Sequence, residues 1–219
     1  MAYVDFLEAV HSRTPRNYLA RMNADKPNII ERAKRYDFDY WDGDRAVGYG
    51  GYHYDGRWRS VAQAMVDHYQ LTPESKILDM GCGKGFLLYE FTQILPGCQV
   101  SGIDISEYAI QHAKEEIRDH VTVGDATELP FKDNSFDLVI SINVLHNLFC
   151  DQLVPALQEI ERVSAADKYL AVETYHNEQE KVNLMCWVLT GECFFAPREW
   201  EYFFKLVGYR GDHSYISFS

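Results

Sequence analysis

A glycine-rich turn between two apolar runs is the first place where residue types and spacing suggest chemistry. The segment DMGCGKG covers residues 79–85, between the run KIL and the run FLLYEFTQIL. Glycines permit a tight turn and let a ligand approach the backbone closely. The amides at the start of the following helix attract an anion. The segment therefore predicts a ligand-binding turn, in which Lys84 is interpreted as a solvated loop residue.

The spacing of these glycines excludes two common phosphate-binding motifs. The dinucleotide fingerprint GxGxxG requires glycine or alanine at position 86, where the chain has Phe86. The P-loop pattern GxxxxGK[ST] requires glycine at position 78, where the chain has Leu78. The pattern that fits is two hydrophobic residues followed by DxGxGxG.

In this pattern the segment ILDMGCGKG resembles the first motif of the class I S-adenosylmethionine-dependent methyltransferases. Three later segments resemble further motifs of the same family: GIDIS at 102–106, GDATELPF at 124–131 and NSFDLVISINVLHNL at 134–148. The resemblance covers about residues 76–174, and the joint spacing of the motifs is more specific than any one of them. Within the family, the core is similar to the branch that includes ubiquinone and menaquinone methyltransferases, which act on small molecules.

The resemblance implies that S-adenosylmethionine is the cofactor and that it binds at the carboxyl ends of the strands. Asp104 would accept hydrogen bonds from both ribose hydroxyls, and Ile105 would pack on the adenine face. Asp125 would accept from the adenine amino group, and Ala126 leaves room for the ring. The other cofactor-binding candidates lie in the glycine turn, after the fourth strand and before the core: Asp79, Gly81, Cys82, Gly83, Asn143, Tyr49 and Arg57.

Methyl transfer requires a protein mainly to align the acceptor with the methyl group and to exclude water. A general base is needed only when the accepting hydroxyl or amine is protonated. The candidates for that base follow the fourth and fifth strands: His146, Glu173 and His176. His146 would alternatively be a packing residue, and His53 is a further option. No residue pattern resembles a zinc site, and no metal is expected.

The segment GYGGYHYDGRW, residues 48–58, combines glycines with aromatic rings before the core. We interpret it as a lid over the methionine end of the cofactor. Arg57 would pair with the methionine carboxylate or with an anionic substrate. Aromatic side chains would exclude water and pack near the sulfonium: Tyr49, Tyr52, Tyr54 and Trp58. The alternative is an ordered surface loop whose rings plug the helical cap.

The elements that position these residues alternate along the chain. Short β-branched runs are followed by helical stretches, which predicts an α/β fold: a Rossmann-like three-layer sandwich with a mostly parallel central sheet of six or seven strands. Residues 1–70 would form an N-terminal helical cap and lid. Residues 71–219 would form the methyltransferase core, with a substrate-side insert around 177–196. Only YRGDHSYISF follows the last predicted helix, which leaves little room for the antiparallel seventh strand of the family.

The composition of the chain indicates which classes of binding partner to expect. The 219 residues carry a net charge of −12, which argues against a nucleic-acid substrate. The five cysteines include no close CxxC pair and are interpreted as free thiols in a reducing, cytoplasmic compartment. No apolar run approaches the length of a membrane helix, so no membrane partner is expected. The chain is expected to be a monomer or a homodimer.

Together these patterns predict an S-adenosylmethionine-dependent methyltransferase. It would transfer a methyl group to a hydroxyl or amine of a small polar metabolite. Two alternatives stay open. Methylation of a protein side chain would be favoured by an open acidic groove. A cofactor-binding regulatory module would bind the cofactor without turnover.

Overall fold

A computed structural model of the chain describes residues 1–11, 16–49 and 52–219. Its centre is one sheet of six strands: β1 Lys76–Met80, β2 Gln99–Asp104, β3 Val121–Val123, β4 Phe136–Ile142, β5 Ser164–Glu173 and β6 Asp212–Ile216. The order across the sheet is β3-β2-β1-β4-β5-β6, and each neighbouring pair is parallel. The predicted parallel sheet is thus confirmed.

Helices precede, connect and follow the strands. Those of the described residues are α1 Glu8–His11, α2 Tyr18–Asn23, α3 Lys26–Ala33, α4 Phe38–Trp41, α5 Arg59–Tyr69, α6 Phe86–Ile94, α7 Glu107–Gln111, α8 Cys150–Val163, α9 Glu178–Trp187 and α10 Pro197–Val207. None of these is long and apolar enough to cross a membrane. Helices α1 to α5 lie within residues 1–70, the region predicted as the N-terminal cap and lid. Gly50 and Gly51 of the predicted lid lie outside the described residues.

Side chains that alternate along the strands fill a core on each face of the sheet. Ile77 and Ile140 are buried in the cluster that contains residues of α5 and α6. Their neighbours Leu78 and Val139 are buried in the cluster that contains residues of α8 and α10. Because successive side chains of a strand point to opposite faces, both faces of the sheet are covered. The fold is therefore the predicted Rossmann-like three-layer sandwich.

Two helix boundaries follow directly from local sequence. Ser106 caps α7, because its hydroxyl accepts from the backbone N–H of Ala109 at 3.0 Å. Helix α10 begins at Pro197 and ends at Val207, and it is followed by Gly208, whose φ of 70° is in the left-handed region that glycine adopts readily.

The carboxyl-terminal part of the sheet is simpler than that of the family. Strand β6 pairs directly and in parallel with β5, with Tyr169 opposite Asp212. The antiparallel seventh strand does not occur within the described parts of the chain. On the other side of β6, Tyr3 forms a parallel bridge with His213, and the backbone N–H of Val4 donates to the His213 carbonyl at 2.9 Å. A short segment near residue 3 therefore pairs with the strand at this edge.

Candidate active site

A cavity of about 460 Å³ lies at the carboxyl ends of the strands. Ligands bind at this edge in open α/β sheets. Its lining includes a residue at or just beyond the end of each strand. In the sheet order β3, β2, β1, β4, β5 and β6 these are Asp125, Asp104, Gly81, Asn143, Glu173 and Phe218. The structure therefore brings together residues that are up to 137 positions apart in the sequence, from Gly81 to Phe218.

The glycine turn has no space for side chains. Gly81 has φ +88°, and a Cβ there would lie 2.0 Å from Cγ2 of Val144. Gly83 has φ +53°, and a Cβ there would lie 2.8 Å from the ring of Trp41. The backbone N–H groups of Gly81 and Cys82 both donate to the carbonyl of Ile103, at 2.6 and 3.0 Å. The turn is thus fixed to β2 and exposes backbone to the cavity.

Asp104 is buried at the end of β2 and lines the cavity. Its Oδ2 accepts from the backbone N–H of Gly83, and its Oδ1 from that of Ser106, both at 2.8 Å. Burial raises the pKa of Asp104, and these two amides oppose the rise. A carboxylate has about four acceptor positions, so two bonds leave capacity for ligand hydroxyls. Ile105 lines the cavity with 58% of its surface exposed, which offers an apolar surface for a ring.

The third motif and the end of β4 supply further acceptors to the cavity. Asp125 and Ala126 line it, and Oδ1 of Asp125 accepts from the backbone N–H of Thr127 at 2.8 Å. Asn143 has φ 61°, a conformation that is uncommon for residues other than glycine. The Oδ1 atoms of Asn143 and Asn147 are buried without a hydrogen-bond partner among the described residues. Because buried polar atoms are normally paired, these two oxygens fit a ligand that brings donors.

Asp79 and Cys82 are buried beside the turn and line the cavity. Burial, together with the charge of Asp104, raises the pKa of Asp79 to about 7. Burial also raises the pKa of the Cys82 thiol, which therefore stays protonated at neutral pH. Neither side chain is an activated nucleophile in this environment.

His146 and Glu173 contact each other in the cavity. The backbone N–H of Glu173 donates to Nδ1 of His146 at 3.2 Å, and Nε2 lies 3.6 Å from the Glu173 carboxylate. Since Nδ1 accepts, Nε2 carries the proton of the neutral ring. Burial lowers the pKa of His146 to about 3. Burial raises the pKa of Glu173 to about 7, and the charge of Arg16 opposes that rise.

His176 lies elsewhere. It is exposed and does not line the cavity, and its Nδ1 lies 2.9 Å from the Glu180 carboxylate on α9. His53 is likewise outside the cavity lining, with its side chain 83% exposed and 3.8 Å from Asp42. Of the sequence candidates for a base, only His146 and Glu173 are brought to the cavity.

The predicted lid covers part of the cavity. Tyr49, Tyr52, Arg57 and Trp58 line it, whereas Tyr54 packs on α6 and donates to Glu90 at 2.7 Å. The Tyr49 hydroxyl accepts from the backbone N–H of Leu189 at 2.8 Å, and burial raises the Tyr49 pKa to about 12.

Arg57 is paired within the lid itself. Its guanidinium forms a double hydrogen bond with the Asp55 carboxylate at 2.6 to 2.9 Å. A ligand carboxylate at Arg57 would therefore compete with Asp55.

Three contacts that sequence patterns did not identify attach the cap to the core. Arg21 donates to the carbonyls of Gly48 and Trp187, at 2.9 and 3.1 Å. Trp41 donates from Nε1 to the Ser106 hydroxyl at 2.8 Å. Lys84 is buried rather than solvated, and it forms a salt bridge with Asp42 of the cap. These partners are distant in sequence, so local residue spacing could not predict the contacts.

The family comparison agrees with the motifs. Residues 71–208, more than half of the 219-residue chain, match the family described as Methyltransferase domain. The tRNA (carboxymethyluridine(34)-5-O)-methyltransferase of Arabidopsis thaliana is 32% identical over 130 residues, which are 59% of this chain and 30% of that protein. The demethylmenaquinone methyltransferase of Symbiobacterium thermophilum is 33% identical over 116 residues, which are 49% of this chain and 45% of that protein. The chain thus spans less than half the length of both curated relatives.

A solved structure shares the fold. The YcgJ protein of Bacillus subtilis aligns with a TM-score of 0.55 and 24% identity, over 67% of this chain and 66% of that one. The family match confirms the resemblance that the four motifs indicated, and S-adenosylmethionine is the cofactor of that family. The chain belongs to the methyltransferase domain family, within the class I S-adenosylmethionine-dependent methyltransferases.

Proposed function

We propose that the protein transfers a methyl group from S-adenosylmethionine to a hydroxyl or amine of a small polar metabolite, with Glu173 as the general base. The observation that carries this proposal is the order of groups along the cavity. The glycine turn follows β1, the Asp104 carboxylate lies at the end of β2, and the Glu173 carboxylate, with a pKa of about 7, lies at the end of β5.

The residues present fit the cofactor. The turn excludes side chains at Gly81 and Gly83, and Asn143 has a buried oxygen that lacks a donor among the described residues. When bound, S-adenosylmethionine supplies a methyl group on a positively charged sulfur. The residues that would hold it are Tyr49, Arg57, Asp79, Gly81, Cys82, Gly83, Asp104, Ile105, Asp125, Ala126 and Asn143.

Glu173 is the better base of the two candidates in the cavity. A base is most effective when its pKa lies near the working pH, and the pKa of Glu173 is about 7. Neutral His146 already carries its proton on Nε2 and uses Nδ1 to accept from the Glu173 backbone. His146 is therefore a positioning residue whose Nε2–H faces the Glu173 carboxylate.

The covering elements favour a small acceptor. Lid residues Tyr49, Tyr52 and Trp58, together with Tyr40 of the cap, line the cavity and restrict access by a large substrate. A folded protein or tRNA acceptor would need an open groove instead, and the net charge of −12 disfavours RNA. A cytoplasmic location is consistent with the five cysteines, which are free thiols.

The test measures binding and turnover separately. Calorimetric titration with S-adenosylhomocysteine measures the cofactor site, and its release from S-adenosylmethionine in the presence of pooled hydroxy and amino metabolites measures turnover. We expect Glu173→Gln to lower turnover about 100-fold or more, as for loss of a general base, and to keep the affinity for S-adenosylhomocysteine. The control His176→Gln should retain turnover, because that side chain is exposed and lies outside the cavity lining.

Two results would contradict the proposal. Cofactor binding without methylated product in any metabolite pool would favour a regulatory module. Methylation of added tRNA or protein, with no metabolite product, would favour a macromolecular acceptor.

A further inference from the structure

Arg16 is a cation in the cavity wall without a carboxylate partner among the described residues. It lines the cavity, and its Nε is buried without a hydrogen-bond partner there. Its guanidinium lies over the Phe218 ring, with Cζ 4.8 Å from the ring centroid. A buried N–H group such as Nε loses hydration that it must recover from a partner. The contact with Phe218 orients the group but supplies no acceptor.

The other cationic side chains that line the cavity are paired. Arg57 is bound by Asp55, with 2.6 Å between Nη2 and Oδ2. Lys84 is bound by Asp42, with 2.6 Å between Nζ and Oδ1. Arg16 is thus the cation that is available to a ligand in the described part of the cavity.

The order of the strands places Arg16 on the same side of the cavity as Glu173, the proposed base for the methyl acceptor. Its partner Phe218 follows β6, which pairs with β5 so that Ile216 lies opposite Glu173. Neighbouring strands are about 4.8 Å apart, so Arg16 and Glu173 face the same region. The charge of Arg16 acts on the Glu173 carboxyl, which agrees with this proximity. Apart from Tyr49 and Arg57 of the lid, the candidate cofactor residues lie at or just beyond the ends of β1 to β4, on the opposite side of Glu173 from β6.

The positive charge of Arg16 in this region favours a methyl acceptor that is an anion. A guanidinium binds a carboxylate through two parallel hydrogen bonds. One arginine balances one negative charge, whereas a phosphate dianion would leave an excess charge beside Glu173. The cavity lining also includes the apolar residues Val10, Trp187 and Ile216.

We propose that the methyl acceptor is a small hydroxy acid or amino acid whose carboxylate binds Arg16 while its hydroxyl or amine faces Glu173. This inference rests on the proposed function and narrows its substrate class. Methyl transfer then forms a bond from that oxygen or nitrogen to the methyl carbon and breaks the methyl–sulfur bond. The proton of the nucleophile passes to Glu173, and S-adenosylhomocysteine leaves.

The test uses the full chain saturated with S-adenosylhomocysteine. The probes are small hydroxy acids and amino acids, each paired with its primary amide, and phosphate monoesters of matching alcohols. Dissociation constants come from tryptophan fluorescence, since Trp187 and Trp58 line the cavity. We expect the best carboxylates to bind wild type about tenfold or more tightly than their amides, as one charge-assisted hydrogen-bonded pair provides.

Substitutions test whether Arg16 causes the preference for carboxylates over amides. Arg16→Gln should abolish it and keep the affinity for S-adenosylhomocysteine, whereas Arg16→Lys, which keeps the charge, should retain part of it. The control Arg210→Gln should retain all of it, because that side chain is 82% exposed and pairs with Glu161 outside the cavity. Thermal unfolding identifies any variant that fails to fold, and Arg16→Lys then decides alone.

Several outcomes would overturn the inference. A tenfold loss of S-adenosylhomocysteine affinity in Arg16→Gln would assign Arg16 to the methionine carboxylate instead. Equal binding of acids and amides, tighter binding of phosphate monoesters, or no binding of any carboxylate would each contradict it while leaving cofactor binding intact. If wild type does not bind S-adenosylhomocysteine, the proposed function fails and this inference fails with it.

Discussion

The ammonium of Lys84 lies 2.6 Å from Oδ1 and 2.7 Å from Oδ2 of Asp42. This salt bridge joins the glycine turn of the core to the segment after α4 in the cap. The side chains are only 7% and 17% exposed, and the Tyr108 hydroxyl donates to Oδ2 of Asp42 at 2.8 Å. The position of the turn therefore depends on the cap, although the two are about forty residues apart in sequence.

Replacing Lys84 by Met should destabilise the protein by about 1–3 kcal/mol. The change leaves the Asp42 carboxylate without its cation. The cost should be smaller than the about 3–5 kcal/mol lost when a fully buried pair is broken, because Asp42 keeps some contact with water. Urea unfolding measures the loss. The double variant with Asp42→Asn should recover part of it, and strictly additive losses would argue against coupling between the two residues.

Replacing Gly81 by Ala should destabilise the turn more than replacing Gly56 by Ala. Both glycines have positive φ, +88° and +77°, so both changes cost about 1–2 kcal/mol in backbone strain. At Gly56 no atom lies within 4 Å of the added Cβ, whereas at Gly81 it meets Val144 at 2.0 Å. The clash should add about 1–3 kcal/mol, measured by urea unfolding, and weaken S-adenosylhomocysteine binding. Equal effects of both changes would show that the turn can relax.

Replacing Asp104 by Asn should weaken S-adenosylhomocysteine binding by about 1–3 kcal/mol. The amide keeps one acceptor oxygen, but its NH₂ group would face one of the two backbone N–H donors, from Gly83 or Ser106. Calorimetry measures the affinity, with exposed Asp151→Asn as the control for a lost surface charge. Unchanged affinity in a stable Asp104→Asn protein would refute the assignment of this carboxylate to the ribose.

The raised pKa of Glu173 has a consequence for stability against pH. A carboxyl with a folded-state pKa of about 7, above its unfolded value, stabilises the fold below the unfolded pKa. That contribution is lost as pH rises through 7. Relative to Glu173→Gln, wild type should therefore lose up to about 3 kcal/mol of unfolding free energy between pH 4.5 and 8.

Urea unfolding at several pH values checks this slope, and the difference between the two proteins removes titrations common to both, such as that of Asp79. The exposed Glu178→Gln is the control for the loss of a carboxylate from the surface. Parallel curves for wild type and Glu173→Gln would indicate that Glu173 is ionised in the fold at neutral pH, as it is in the unfolded chain.

Local spacing predicted the parallel sheet and the residues that its turns carry to the cavity. Gly81 and Gly83 lie in the turn after β1, and Asp104 ends β2, so the order of strand, turn and helix already determines their location. His176 differs because it lies beyond the end of β5, where Asn177 starts α9 and Glu180 is close enough to bind the imidazole. A local interaction at the helix start thus turned that side chain away from the cavity.

The attachment of the cap could not be predicted in this way. Arg21 binds backbone carbonyls more than 25 residues away, and any residue type offers such a carbonyl. Trp41 is placed by the space that Gly83 leaves and by the Ser106 hydroxyl. Contacts of this kind depend on how distant segments pack, and they leave no periodic pattern in the chain.

The bridge between Tyr3 and His213 bears on how copies of the protein can associate. An unpaired edge strand offers its amides and carbonyls to a neighbouring chain, and sheets then extend from one molecule into the next. Residues 2–4 already pair with His213 near the start of this edge, and the Tyr3 ring lies 6.0 Å from the rings of His213 and Tyr215. Self-assembly by continuous sheet extension is consequently obstructed where residues 2–4 cover β6.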